Sequence, residues 1–240
     1  LTLCIDIGNT NVCLALGTPE NYTQARALTE GLDFVRFVEE SFGGDVWGKL
    51  QDCAVSSVVP QAADTITKAL QGLPIRRFDA GKSSVDFSRY KGQLGEDRAI
   101  CCQTAVLKHG APLILADLGT ATTINVVDDK NIFLGGAIHA GVQTGLDALN
   151  SRTAQLPPVS EFPGAIKLIG EDTVECLISG AVMGTVFLIE GYVRRVGELL
   201  NLGREPVVVL TGGNAPPVAA HFRSRFVHEP ELLLEGLFLI

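Results

Sequence analysis

Two short stretches of this chain repeat one another. Asp6-Ile7-Gly8-Asn9-Thr10 and Asp117-Leu118-Gly119-Thr120-Ala121 each end an apolar run with an Asp-x-Gly turn, and each leads straight into a second apolar run. An internal repeat constrains the fold more than composition does. These copies lie roughly half a chain apart, which is too far for a solenoid. The chain therefore reads as two similar domains, residues 1–112 and 113–240. Within each copy the pattern predicts a β-hairpin with the glycine and a small polar residue at its tip.

Such a hairpin has definite chemical uses. Its glycine lets the backbone approach a ligand closely. Successive N–H groups at the tip can cradle an anion. The hydroxyls of Thr10, Thr120 and Thr122 add donors, and the Asp at each strand end offers a carboxylate to a hydrated cation. One copy alone reads more naturally as an ordinary turn. Two copies in matching positions read as a phosphate clamp. Other nucleotide motifs are missing: there is no G-x-x-x-x-G-K-[ST], and no G-x-G-x-x-G follows the first strand. Thr211-Gly212-Gly213 follows a third apolar strand, where paired glycines would let a base or ribose lie against backbone.

The net charge of −8 removes the bulk electrostatic footprint of a nucleic-acid binder. An anionic substrate would need local donors and metal ions. Six cysteines, at 4, 13, 53, 101, 102 and 176, show no C-x-x-C spacing and read as reduced thiols, mostly within apolar runs. LTLCIDIGNT has no basic region and does not read as a signal peptide. The longest uncharged apolar stretch, Ala181 to Ile189, is shorter than the ~18–20 residues of a membrane span. The expected setting is the cytoplasm, with no membrane and no nucleic acid. His109, His139, His221 and His228 are unclustered and read as surface or satisfied-core residues.

Periodicity predicts further elements. Helices are expected at 34–42, 62–70, 96–108, 142–152, 171–200 and 231–240, with Gly191 a candidate break in the fifth. Strands are expected at 53–59, 75–78, 132–139 and 206–210, besides the hairpins. Residues 81–93 read as an irregular loop over the site.

Two hairpins and a late glycine pair together resemble the sugar-kinase/actin/chaperone superfamily. The resemblance narrows with Gly95-Glu96-Asp97-Arg98, which is similar to the G-x-D-R motif of type III pantothenate kinases. Ser56-Ser57-Val58-Val59-Pro60, the DLGTATT run from Asp117 to Thr123, Gly135-Gly136-Ala137-Ile138, Gly170-x-x-Thr173 and Leu234-Glu235-Gly236-Leu237 resemble that family in order and spacing. Two departures stand out: Ala140 takes the place of a usual proline, and the Tyr90–Gly95 segment is shorter and lacks an Asn-Pro.

The resemblance implies an α/β fold of two duplicated actin-like, ribonuclease H-like domains with the nucleotide in the cleft between them. It implies ATP-dependent phosphorylation of pantothenate to 4'-phosphopantothenate, the first step of coenzyme A biosynthesis. Asp97 would be the base. Asp6, Ile7, Gly8, Asn9, Thr10, Asn11, Val12, Cys13, Thr120, Gly212 and Gly213 would bind ATP. Tyr90, Gly95, Glu96, Asp97, Arg98 and Thr173 would bind pantothenate, with Thr173 reaching a partner's site in a homodimer. Asp6 would hold Mg²⁺ through water, and Asp117 a monovalent cation, K⁺ or NH₄⁺. Two alternatives stay open at this point: an actin-like regulatory protein accessory to transcription, and a kinase of the same fold for another small alcohol.

Overall fold

Strands β1 (Thr2–Ile7) and β2 (Asn11–Thr18) form the first hairpin, with Asp6 opposite Cys13 and Ile7 opposite Val12. Alternation along the strands sorts the side chains onto two faces. Leu3, Ile5, Ile7, Val12 and Leu14 enter one core layer, while Cys4 and Ala15 enter another. β3 (Asn21–Leu28) joins β2 antiparallel, β4 (Asp52–Ser57) joins β1 parallel, and β5 (Ile75–Arg76) lies beyond β4. The sheet order is β3-β2-β1-β4-β5. β3 is silent in the sequence, because NYTQARAL has little apolar alternation, and none of its positions is fully buried. It is a polar edge strand, a common way of blunting a sheet edge.

Helices α1 (Phe34–Phe42) and α2 (Pro60–Ala69) cover one face of this sheet through Phe34, Val38, Ala63 and Ile66. The Asp33 carboxylate accepts the Arg36 N–H at 3.2 Å and caps α1. Pro60 opens α2 two residues ahead of the expected Ala62, since proline at the first helical position sacrifices no hydrogen bond. On the opposite face lie α3 (Glu96–His109) and, near the end of the chain, α7 (Leu232–Leu239). Ile100, Leu234, Leu237 and Phe238 pack there with Cys4, Ala15 and Ala54. Gly236 lets the two helices close up: a Cβ on it would stand 2.5 Å from Ile100 Cγ2.

The second repeat has the same plan. β6 (Leu113–Leu118), β7 (Ala121–Val127) and β8 (Phe133–Ala140) run antiparallel in turn. β9 (Val207–Thr211) joins β6 parallel, and β10 (Val227–His228) joins β9. Read from the other edge, the order β10-β9-β6-β7-β8 is the first sheet again. Helices α4 (Val142–Arg152), α5 (Thr173–Leu200) and α6 (Ala215–Ala219) pack on one face, with Val142, Leu146, Val182, Val186, Ile189 and Val218 in the core.

The computed structural model describes residues 1–200 and 205–240. They form two compact units, Leu1–Leu107 with Glu231–Ile240, and Lys108–Pro230. The sequence partition gives residues 231–240 to the second half. In the structure α7 returns to the first unit, because its leucines and Phe238 cover apolar surface on β1, β2 and β4.

Helix α5 is 28 residues long and runs unbroken through Gly191. One window of it has a mean hydropathy of 1.7, enough by length and composition to cross a membrane. Its buried residues Ile178, Val182, Val186 and Ile189 recur every three or four positions and enter the core of the second unit. That is the stripe of a helix packed against a protein core.

Candidate functional site

Each hairpin tip is tied down by the chain that follows its third strand. In the first unit, the Thr29 N–H donates to the Thr10 carbonyl at 3.0 Å and its hydroxyl donates to the Gly8 carbonyl at 2.7 Å. In the second, the Gly141 N–H donates to the Thr120 carbonyl at 3.0 Å and the Thr144 hydroxyl reaches the same oxygen at 2.7 Å. Thr10 and Thr120 are therefore structural counterparts. The first turn is one residue longer, since Ile7 faces Val12 while Leu118 faces Thr122. The glycine N–H of each tip is committed within its own turn, Gly8 to the Asn11 carbonyl at 2.9 Å and Gly119 to the Ala121 carbonyl at 3.1 Å.

Pairing fixes what surrounds the two aspartates. Asp6 is flanked by Cys13 on β2 and Ser56 on β4. Asp117 is flanked by Thr123 on β7 and Thr211 on β9. Both aspartates sit near the carboxyl ends of parallel strands, the usual ligand edge of such sheets. Ile7 and Val12 are fully buried in the α1/α2 core, so only their backbone can serve a ligand. Burial raises the Cys13 thiol above its usual range, against the hydrogen bond that its sulfur accepts from Arg26 Nε at 3.3 Å.

Around Asp117 the oxygen donors are denser. Asn125, fully buried on the same face, donates to Thr123 Oγ1 at 3.1 Å. Gly212 has φ +92° and lies against Asp117 and the Leu118 backbone. Asn214 completes the turn, its N–H donating to the Leu118 carbonyl at 2.8 Å and its amide to that of Gly119 at 3.1 Å. Gly213 is exposed beside them.

The head of α3 gathers most of the residues expected to meet a substrate. Glu96 and Asp97 occupy its first turn, where the helix's partial positive charge favours acids. Asp97 Oδ1 accepts the Arg98 N–H at 2.7 Å and folds back over Gly95, where any Cβ would collide with it. The Arg98 guanidinium lies 5.8 Å from the Tyr90 ring centroid, within cation–π range. The preceding loop is held by buried Val85 and by the edge-to-face pair Phe78–Phe87. Glu96 lies 3.7 Å from Arg77, with one oxygen buried and lacking a hydrogen bond.

Thr173 is exposed at the head of α5, on the wall of a cavity of about 500 Å³ shared with Leu156, Gly170 and Cys176. His109 pairs with Glu229 at 2.7 Å, and exposed His139 with the Ala140 carbonyl at 2.9 Å. Among the described residues no three His, Cys, Asp or Glu side chains converge on one point. Ser56, Thr123 and Thr211 belong to motifs legible in the sequence, but their places beside Asp6 and Asp117 are not, and neither are the ties from Thr29, Thr144 and Asn214. They follow from strand register, which one sequence does not display.

Residues 2–195 match the family model described as type III pantothenate kinase. The type III pantothenate kinase of Persephonella marina is 33% identical over 253 residues, covering 99% of this chain and 97% of that protein. That of Brevibacillus brevis is 32% identical over 253 residues, covering 100% and 98%. Among solved structures, a Baf family transcriptional activator from Campylobacter jejuni superposes with TM-score 0.67 at 20% identity, covering 98% of this chain and 94% of that one. A propionate kinase from Francisella tularensis does so with TM-score 0.55 at 10% identity, covering 99% and 98%. At such identities the structural matches bear on the fold alone, and they agree with two actin-like α/β domains. The full-length sequence relatives and the family match go further: this chain belongs to the type III pantothenate kinase family.

Proposed function

We propose that the protein transfers the γ-phosphate of ATP to the primary hydroxyl of pantothenate, giving 4'-phosphopantothenate and ADP at the start of coenzyme A biosynthesis. The observation that carries this reading is the head of α3, where Asp97, Arg98 and Tyr90 come together in a member of this family. Phosphoryl transfer asks the protein mainly for positioning and charge stabilisation. Asp97 accepts the proton of the attacking hydroxyl as its oxygen bonds to the γ-phosphorus and the bond to the ADP oxygen breaks. Arg98, oriented by the Tyr90 face, pairs with the pantothenate carboxylate, which its planar fork suits. Gly95 leaves room for the Asp97 carboxylate, and Glu96 holds the turn beside Arg77.

Backbone donors from Asp6 to Cys13 and at Thr120 serve the ATP phosphates, and Gly212 and Gly213 the adenosine. Asp6 is a half-buried carboxylate with no cluster of further acids among the described residues, so it would hold a Mg²⁺ ion through water. Bound there, such an ion would supply charge neutralisation to the phosphates. Asp117 with the Thr123 and Thr211 hydroxyls is a hard-oxygen set that suits K⁺ or NH₄⁺. Val174, Phe187, Tyr192 and Leu199 are exposed along α5 and support a homodimer, in which Thr173 would complete the partner's pantothenate pocket. The proposed setting is the cytoplasm.

The regulatory reading is not favoured. The likeness to the Campylobacter activator is one of fold, while the full-length relatives at about 33% identity are kinases by name. The test is an assay of purified protein with ATP, Mg²⁺ and K⁺ against pantothenate and a panel of small alcohols. Phosphorylation of pantothenate above the others is expected. Preference for another alcohol, or no turnover at all, would overturn the reading.

A further inference from the structure

Ser56 is fully buried, and its hydroxyl oxygen has no hydrogen-bond partner. Native folds rarely keep a buried polar group unsatisfied, and an orphan of this kind asks for an explanation. Its neighbours supply one. Ser56 is the register partner of Asp6 near the carboxyl ends of β1 and β4. Neighbouring strands lie about 4.8 Å apart, so rotation of one side chain brings the hydroxyl to the carboxylate. Val58, just past the end of β4, still donates its N–H to the Ile7 carbonyl at 3.1 Å. A Cβ on Gly95 would lie 3.8 Å from Val58 Cγ1. Ser56 thus lies beside Asp6 and two residues before Val58, the residue that reaches the helix head carrying Asp97. The second repeat keeps a hydroxyl at the same register position, Thr211 beside Asp117.

We infer that Ser56 is a positioning residue for Asp6. When the divalent ion and ATP are bound, its hydroxyl donates to the Asp6 carboxylate and holds the opposite oxygen toward the ion's water shell. Full burial keeps Ser56 from touching the ligand itself, so it acts only through Asp6. The inference rests on the metal-holding role of Asp6 proposed above, and it adds what fixes that carboxylate in place.

The experiment compares Ser56→Ala, Ser56→Thr and Asp6→Asn with the parent chain. Three quantities are read: the thermal midpoint of ligand-free protein, the rise in that midpoint on adding Mg²⁺ and ATP, and the Mg²⁺ concentration giving half-maximal phosphorylation. For Ser56→Ala the ligand-free midpoint should hold or rise, since an unsatisfied buried group is removed. The rise on adding Mg²⁺ and ATP should shrink. The half-saturating Mg²⁺ concentration should increase about tenfold, the scale of one hydrogen bond to a charged group. KM for pantothenate should stay put, and Ser56→Thr should restore the Mg²⁺ dependence. An unchanged Mg²⁺ dependence in Ser56→Ala overturns the inference, whatever happens to the midpoint. If Asp6→Asn also leaves it unchanged, the reading of Asp6 falls as well. If only Asp6→Asn shifts it, Ser56 alone is acquitted of the role.

Discussion

Gly212 lies directly against the carboxylate of Asp117: a Cβ on it would stand 2.5 Å from Oδ1 and 2.7 Å from the Leu118 backbone. The glycine also holds φ +92°, a conformation that side chains other than glycine adopt at a cost. Gly212→Ala should therefore destabilise the fold by roughly 1–3 kcal/mol and push the carboxylate out of place. Denaturant unfolding checks the first effect. A raised half-activating K⁺ concentration checks the second.

The oxygen donors around Asp117 make a cation prediction of their own. K⁺ or NH₄⁺ should activate the enzyme, and Na⁺ should do so poorly. Equal initial rates in buffers of K⁺ and Na⁺ would remove Asp117 from that role.

The duplicated fold could be read from the sequence because both hairpins announce themselves. Asp-x-Gly between apolar runs is a local pattern, and so is the acidic first turn of α3. The rest of the fold depends on distant pairing or on weak local signals. β3 lacks apolar alternation, and β10 is two residues long. The return of α7 to the first unit is decided by which sheet face lacks cover, not by any feature of LLLEGLFL itself. Ser56 and Thr211 become neighbours of the aspartates only once β4 and β9 are in register.

Glu229 carries a pH prediction. It accepts from Lys108 Nζ at 2.6 Å and pairs with His109 at 2.7 Å, close to where the chain passes between its two units. Burial alone would raise this carboxyl, but the hydrogen bonds from Lys108 and His109 outweigh it and leave the group below its ordinary value of 4.5. A depressed carboxyl stabilises the fold above that value and stops doing so as pH falls through its folded pKa. Glu229→Gln should thus lose about 1 kcal/mol at neutral pH. The gap to the parent should close on acidification below 4.5. Urea unfolding across that range checks it, and a gap that widens at low pH would contradict it.

Subunit mixing tests the role of Thr173. Asp97→Asn and Thr173→Arg should each be inactive alone. If Thr173 serves the partner's site, a hybrid dimer has one site with both defects and one with neither. Activity should then recover toward about half per hybrid after subunit exchange. A fully active monomer in sedimentation at assay concentration would refute the shared site.

The central claim is that Asp97, at the head of α3, takes the proton from the attacking hydroxyl. Asp97→Asn keeps the size of the side chain, and it retains a carbonyl oxygen able to accept the Arg98 N–H. The fold should persist, with an unchanged circular dichroism spectrum and thermal midpoint. Steady-state turnover with pantothenate, ATP, Mg²⁺ and K⁺ is the most direct measurement. It should show kcat reduced at least ~100-fold, the low end for removing a general base. Near-normal kcat in a well-folded Asp97→Asn protein would contradict the account.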